Sequence, residues 1–294
     1  MKRLRARHRE PVDTLPERAT TWRLASFEQV KPQQQDCLLL GDFAHCRAGS
    51  LFSKMMDLAG IGIVTDASAP YSFAIKWAPW SEYSIPDEVR SQLNGERVIN
   101  DTHFFCAKSN VSKHFEETFG YRSSVDPSTF HGLCVAKSDR NSLHDGRVMV
   151  CPQGPPEPGT VYDVLVDNDI DDEYVEDIRV PIVGDRIPYV HLKYRPKSAR
   201  FSNKNSYVAL AGKRQVFTAD ELASILRFAR ALGLDYGELD ILRDRPTGKL
   251  YIVDVNNTPY GPANHMEPRD AELTVALLAD AFSDAFLTRK GVTH

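Results

Sequence analysis

The chain has 294 residues, enough for one large domain or for two or three closely joined subdomains. Its formal net charge of -4 gives no reason to expect nucleic-acid binding, and no apolar run approaches the ~20 residues that a membrane span needs. The five cysteines are scattered and the basic N-terminus lacks the apolar core of a signal peptide. We therefore expect neither a disulfide framework nor a zinc site, no membrane partner and a cytoplasmic location.

Residues 1–97 are predicted to form a small N-terminal domain behind a loose basic tail. The expected elements are a buried strand over 36–42, a helix over 50–58, and strands over 61–64 and 73–77. Strands that alternate with helical spacing in this way are typical of a parallel sheet.

Residues 98–160 are predicted to form a second unit. A helix is expected from Lys113 to a stop at Gly120, and two short strands over 133–136 and 147–150 flank a polar loop. The run Gln-Gly-Pro-Pro-Glu-Pro-Gly over 153–159 is typical of a linker between structural units.

Residues 161–294 are predicted to form the third unit. A capping box that begins at Thr218 predicts a helix that ends near Gly233, and a last helix is expected to begin near Pro268. The expected strands lie over 161–166, 179–183, 239–242 and 250–255, the last two as a hairpin.

Acidic residues lie inside apolar runs on both strands of this hairpin. Asp254 and Asn256 are two residues apart, so they point to the same face of their strand, and Asp240 on the paired strand can face them. Buried carboxylates that repel each other are best satisfied by a divalent cation, and two acids with an amide suit Mg²⁺ or Mn²⁺. The pattern predicts Asp240, Asp254 and Asn256 as metal ligands. The alternative is that Asp254 and Asn256 only cap the turn over 258–261.

The same segment resembles a known family. Gly-Leu-Asp-Tyr-Gly-Glu-Leu-Asp-Ile-Leu over 233–242, followed by Asp-Val-Asn-Asn-Thr-Pro-Tyr-Gly over 254–261, is similar to the C-terminal core of ATP-grasp enzymes, especially RimK-type glutamate ligases and glutathione synthetase. The resemblance covers about residues 98–262. It implies an α/β (α+β) ATP-grasp fold with 98–160 as the small lid subdomain, 161–294 as the core subdomain and 1–97 as a pre-ATP-grasp domain.

The resemblance also implies further site residues. Basic residues that follow an Asp-Ile-Arg segment would contact the ATP phosphates and stabilise the transferring phosphoryl group, a role that suits the planar fork of arginine. Without the family context, these basic residues would be interpreted as a solvated strand edge. The implied catalytic residues are Arg179, Lys193, Arg195 and Arg200. The implied ATP-binding residues are Lys137, one or other of Lys108 and Lys113, Asn141 and Gly146 in the loop after Lys137, Asp163 and Leu165 in the strand that contacts adenine, and Asp177 at the ribose.

The sequence departs from the family at two of these places. The family has glutamate where this chain has Asp254, and it has a glycine-rich loop where this chain has one glycine, Gly146, in the segment 138–146. Both departures lie where the phosphates and the metal would be bound.

The resemblance implies an ATP-dependent ligase. Such an enzyme joins a carboxylate to an amine or a thiol through an acyl phosphate, and it releases ADP and phosphate with Mg²⁺ (or Mn²⁺) as cofactor. The expected substrates are small-molecule or peptide carboxylates and amines, and a homodimer is one compatible assembly. Two alternatives stay open: an ATP-grasp kinase that phosphorylates a hydroxyl of a small molecule or glycan, and a nucleotide-binding protein with impaired catalysis.

Overall fold

A computed structural model of the chain describes residues 35–42, 46, 49–80, 83–93, 97–101, 106–140, 143, 145–202, 204–261 and 264–287. The predicted basic tail and Asn141 lie outside the described residues. Three sheets account for the strands of the described part.

The first sheet is parallel and lies near the N-terminus. Its strands are β1 (Gln35–Gly41), β2 (Ile61–Val64), β3 (Phe73–Trp77) and β4 (Val98–Ile99), in the order β2-β1-β3-β4. Two helices accompany it, α1 (Leu51–Ala59) and α2 (Asp87–Arg90). The parallel sheet that the sequence predicts is confirmed, and it extends past residue 97 because β4 pairs with β3.

The second sheet, called the lid sheet here, is antiparallel. It consists of β5 (Gly132–Ser138), β6 (Arg147–Cys151) and β7 (Thr160–Val164), in the order β6-β5-β7. Helix α3 (Lys108–Phe119) precedes it and ends at Gly120 in the left-handed conformation. Along β5 the residues alternate: Cys134 and Ala136 are buried in the lid's own small core, while the residues between them face the other way.

The third sheet, called the core sheet, has five antiparallel strands in the order β10-β9-β8-β11-β12. Their bounds are β8 (Tyr174–Val183), β9 (Val190–Pro196), β10 (Tyr207–Ala211), β11 (Tyr236–Arg243) and β12 (Leu250–Asn256). The accompanying helices are α4 (Lys213–Val216), α5 (Ala219–Leu232) and α6 (Pro268–Phe282), with a 3-10 turn over Lys197–Ala199 and a π turn over Ser283–Leu287. The predicted hairpin is β11 with β12, and the predicted capping box at Thr218 begins α5.

Apolar packing joins the parallel sheet to the core sheet. Trp77 at the end of β3 lies against Phe52 of α1, with ring centroids 4.3 Å apart. The ring centroids of Tyr236 of β11 and Phe282 of α6 are 5.7 Å apart. These rings belong to one buried cluster. None of the described helices is both long and apolar enough to cross a lipid bilayer.

Candidate active site

A cavity of about 170 Å³ is lined by residues of the lid sheet and of the core sheet. Part of its wall is aliphatic or aromatic and part is charged, with four cationic and four acidic side chains. The residues that line it are Lys108, Val135, Lys137, Asp145, Gly146, Asp163, Val164, Leu165, Val166, Asn168, Asp177, Arg195, Arg200, Phe201, Leu242, Val253 and Asp254. Most of the residues that the sequence proposed for ATP therefore meet in one place.

Lys137 connects the two sheets across this cavity. Its position on β5 places it on the same face as Val135, opposite the face that buries Cys134. Its Nζ lies 2.9 Å from Asp163 Oδ2 on β7 and donates to the carbonyl of Val253 on β12 at 3.2 Å. The cation is therefore held between the lid sheet and the strand that carries Asp254.

The N-terminus of α3 brings Lys108, and not Lys113, to the cavity. Lys108 Nζ donates to the carbonyl of Arg140 at 3.0 Å and lies 3.8 Å from Asp254 Oδ1. Lys113 is exposed and does not line the cavity. Five residues of helix correspond to a rotation of about 140°, so the two lysines point to different sides of α3.

The loop after β5 contributes Asp145 and Gly146 to the cavity wall. A Cβ atom at Gly146 would lie 2.9 Å from Cδ1 of Phe201, so the missing side chain allows the aromatic ring to approach the backbone. Asn141, the other loop residue that the sequence proposed, lies outside the described residues.

Two arginines lie at the end of the cavity near the segment that follows β7. Arg195 is buried, with Nη2 at 2.9 Å from Asp177 Oδ2, and it donates to the carbonyl of Ser202 at 2.8 Å. Arg200 donates through Nη2 to the carbonyl of Val166 at 3.1 Å and to Asn168 Oδ1 at 2.7 Å. In this structure Arg200 thus holds the segment that the family resemblance places next to adenine.

Leu165 and Asp177 also lie in this region. The N–H of Leu165 donates to the carbonyl of Leu133 at 3.2 Å, so that donor is already engaged within the lid. Burial raises the pKa of Asp177, although the neighbouring Arg195 opposes the rise.

Asp240 and Asp254 lie directly opposite each other on β11 and β12, as the sequence predicts. Asp240 has cationic partners within the protein: Arg179 on β8 binds it through Nε and Nη2, both at 2.9 Å, and Lys193 on β9 lies 3.2 Å from its Oδ1. Burial opposes ionisation of Asp240, but the charges of Arg179 and Lys193 outweigh it and hold the pKa of this carboxyl well below its usual range. Arg179 and Lys193 thus supply positive charge to Asp240 from within the protein, and its role as a metal ligand stays a prediction.

The other two proposed metal ligands have different surroundings. Asp254 Oδ1 is buried and has no hydrogen-bond partner within the described part of the chain, and burial raises the pKa of this carboxyl against the effect of Lys108. The Oδ1 of Asn256 accepts a hydrogen bond from the N–H of Thr258 at 3.0 Å, which is the turn capping that the sequence allowed as an alternative. Arg179, Lys193, Asp240 and Asn256 do not line the cavity itself.

Glu238 is a charged residue of this region that the sequence argument missed. It is 4% exposed and lies two residues before Asp240, so both carboxylates are on one face of β11. Its Oε2 is 3.2 Å from Arg179 Nη1, and burial raises its pKa. The two-residue spacing between Glu238 and Asp240 is the sequence signal that could have identified Glu238 as part of this charged face.

The described residues contain no group of three His, Cys, Asp or Glu side chains placed to hold a metal ion. Mg²⁺ sites commonly include waters and phosphate oxygens beside one or two carboxylates, so this finding does not decide whether Asp254 binds a cation.

Comparison with known proteins gives the fold. No protein-family model matches the sequence, and no curated protein matches it. Among solved structures, the ATP-grasp ligase PsnB, complexed with a phosphomimetic variant of its minimal precursor, Mg and ADP, is 12% identical with a TM-score of 0.51 over 86% of this chain and 99% of that chain. The macrocyclase MdnC from Microcystis aeruginosa MRC, bound with the precursor peptide MdnA, is 10% identical with a TM-score of 0.51 over 84% of this chain and 99% of that chain. The chain therefore has the ATP-grasp fold, and the α/β (α+β) class expected from its sequence is confirmed.

Proposed function

We propose that the chain is an ATP-dependent ligase that binds Mg-ATP in this cavity and joins a carboxylate to an amine, or to a thiol, with release of ADP and phosphate. The composition of the cavity carries the proposal. Aliphatic and aromatic side chains suit an adenine ring, and the four cations that line the same cavity suit a triphosphate. The shared fold with ATP-grasp ligases supports it.

The phosphates would be bound by Lys108, Lys137, Arg195 and Arg200. An ammonium group has three donors, and the contacts of Lys137 with Asp163 and Val253 use two of them among the described residues. A phosphate oxygen can therefore accept the third without breaking the connection between the sheets. Lys108 donates to the neutral carbonyl of Arg140 and lies 3.8 Å from Asp254 Oδ1, and a phosphate would give it a charged hydrogen-bond acceptor.

Asp254 is the residue that best fits a metal ion. Its buried Oδ1 lacks a hydrogen-bond partner among the described residues, and a buried acceptor of this kind is satisfied by a cation. Asp240 and Asn256 lie next to it on the same hairpin, and each already has a partner within the protein. When bound, Mg²⁺ would neutralise phosphate charge and polarise the phosphoryl group that is transferred.

The reaction that suits this arrangement begins with attack of a substrate carboxylate on the γ-phosphorus of ATP. The bond to the bridging oxygen breaks, ADP leaves, and an acyl phosphate forms. An amine then attacks the acyl carbon, loses a proton and displaces phosphate through a tetrahedral intermediate. The protein contributes position and charge neutralisation, and Arg179 and Lys193 contact Asp240, the register partner of Asp254.

The structural neighbours suggest the size of the substrate. PsnB is complexed with a variant of a minimal precursor, and MdnC is bound with a precursor peptide. We accordingly propose a peptide or a small molecule that carries a carboxylate, with an amine as the second substrate.

Hydroxylamine trapping tests the proposal. The protein is incubated with Mg-ATP, hydroxylamine and a panel of amino acids and short acidic peptides, and we expect a hydroxamate together with ADP and phosphate. A stable phosphate ester without hydroxamate would favour a kinase. AMP among the products, or no stabilisation of the protein by Mg-ATP, would contradict the proposed chemistry.

A further inference from the structure

Two of the five cysteines lie against each other in the lid sheet. Cys134 of β5 and Cys151 of β6 have Sγ atoms 3.0 Å apart. All five cysteines of the chain are free thiols in this structure. We propose that Cys134 and Cys151 form a dithiol site that low-molecular-weight disulfides, such as glutathione disulfide, oxidise to a reversible cross-link within the lid.

The strand register explains why these two side chains meet. Gly132 pairs with Cys151 and Cys134 pairs with Met149, so the cysteines are diagonal neighbours across an antiparallel pair. Residues opposite each other, and residues two apart, point to the same face of a sheet, so both thiols lie on one side. The two Sγ atoms lie closer together than the diagonal position of their residues by itself requires.

That side is the apolar one and does not face the cavity. Cys134 and Cys151 belong to the small buried cluster of the lid, with Ala136 and Tyr162. Val135, between Cys134 and Ala136, lines the cavity on the opposite face. A cross-link between the thiols therefore leaves the charged cavity wall unchanged, and the inference does not depend on the proposed function.

Exposure and charge give the two thiols different roles. Cys151 is 5% exposed and Cys134 is 0% exposed, so an oxidant reaches Cys151 first. Burial raises the pKa of Cys134 to about 11, and the hydrogen bond and charge of Cys151 contribute to this rise. Once Cys151 is bonded to an oxidant sulfur it carries neither the hydrogen bond nor the charge, and Cys134 becomes easier to ionise.

The exchange balances in two steps. The thiolate of Cys151 attacks one sulfur of glutathione disulfide, which forms a mixed disulfide and releases one glutathione thiolate. The thiolate of Cys134 then attacks Sγ of Cys151 and releases the second glutathione. The two protein thiols lose two electrons and two protons, and the oxidant gains them as two thiols.

The cross-link would close a loop around the segment that supplies Asp145 and Gly146 to the cavity. Cys134 and Cys151 are 17 positions apart, and the end of β5 and most of β6 lie between them. Fixing both ends of such a loop restricts the unfolded lid and resists separation of the edge strand β6 from β5. The oxidised lid should therefore be harder for proteases to cleave at Arg140 and Arg147.

Peptide mapping of the intact protein tests the inference. The full chain is treated with excess glutathione disulfide, free thiols are blocked, and the protein is unfolded and digested with trypsin. We expect two of five thiols to disappear, the intact mass to fall by two hydrogens, and the tryptic peptide 123–137 to be linked to the peptide 148–179. Dithiothreitol should restore all five thiols.

Variants separate the roles of the thiols. Cys134→Ser should stop at the mixed disulfide and gain one glutathione, while Cys151→Ser should gain none and form no cross-link. Cys106→Ser, which removes a thiol next to Asn257, should still lose two thiols. Five persistent thiols in the folded wild-type protein, or a link between other peptides, would overturn the inference, and this wild-type readout holds even if a variant fails to fold.

Discussion

The guanidinium of Arg179 and the carboxylate of Asp240 form a two-point ion pair across the neighbouring strands β8 and β11. Nε and Nη2 each lie 2.9 Å from a carboxylate oxygen, and the two residues are register partners. Lys193 adds a contact at 3.2 Å. The negative charge of Asp240 is therefore compensated by two cations of the core sheet, one on each of the strands β8 and β9.

Replacement of Arg179 should destabilise the fold. Arg179→Met leaves the carboxylate of Asp240 with Lys193 alone, and removing one partner of a largely buried pair costs about 3 kcal/mol or more of unfolding free energy. Urea denaturation measures the loss. Arg186→Met is the matched control, because Arg186 pairs with Asp284 at the surface, and exposed pairs contribute ~1 kcal/mol or less. Equal losses in the two variants would show that the Arg179–Asp240 pair is no more stabilising than a surface pair.

The hairpin of β11 and β12 was predictable from sequence because its geometry is local. Two apolar runs with a short connection define the pairing, and the two-residue period places Asp254 and Asn256 on one face. The partner of Asp240 was not predictable in the same way. Arg179 lies 61 positions earlier, and it reaches Asp240 only because β8 is inserted next to β11 in the sheet order.

The start of α3 shows the same limit. The sequence predicted that the helix begins at Lys113, and in the structure it begins at Lys108. The N–H of Ser109 donates to Asp139 Oδ1 at 2.8 Å, and the N–H of Lys108 donates to the carbonyl of Asp139. The first turn is thus capped by a residue 30 positions later, which no local pattern reveals, and Lys108 lies in this turn.

The two lysines of α3 give a sharp test of the ATP site. Lys108→Met should weaken Mg-ATP binding by about 10-fold or more, because a charge-assisted contact with phosphate is lost. Lys113→Met should bind as the wild type does, since Lys113 is exposed and does not line the cavity. Isothermal titration calorimetry measures the Kd of Mg-ATP for the two variants, whose substitutions lie on the same helix. An equal effect of both substitutions would indicate that long-range charge, and not a contact at the cavity, is responsible.

ATP should stabilise the wild-type protein against unfolding only when a divalent cation is present. A ligand that binds the native state at a hundredfold excess over its Kd adds about 2.7 kcal/mol to the free energy of unfolding. Thermal unfolding with ATP and EDTA, against ATP and Mg²⁺, measures the difference. An unchanged unfolding temperature across millimolar Mg-ATP would contradict the proposal that the cavity binds ATP.

Asp254→Asn should separate activity from stability. The change keeps the volume and deletes a charge whose Oδ1 is buried without a hydrogen-bond partner among the described residues, so we expect the unfolding free energy at neutral pH to rise by about 1 kcal/mol. Turnover should fall at least ~100-fold, the range seen when a key electrostatic stabiliser is removed. Turnover within a few-fold of the wild type would leave Asp254 as a turn residue only.

Glu238 and Asp240 should give opposite pH dependences although they are two residues apart on one strand. Burial raises the pKa of Glu238 above its usual 4.5, so the folded state binds a proton more tightly than the unfolded state does. Wild-type stability relative to Glu238→Gln should therefore fall as pH rises from about 4.5 through the folded pKa. The pKa of Asp240 is held below its usual 3.8, so its contribution is fully present above that value and is lost as pH falls through the folded pKa. Wild-type stability relative to Asp240→Asn should accordingly rise with pH in the acid range and level off above about 4. Urea midpoints of the three proteins between pH 3 and pH 8 measure both slopes, and slopes of the same sign would show that Arg179 does not distinguish the two carboxylates.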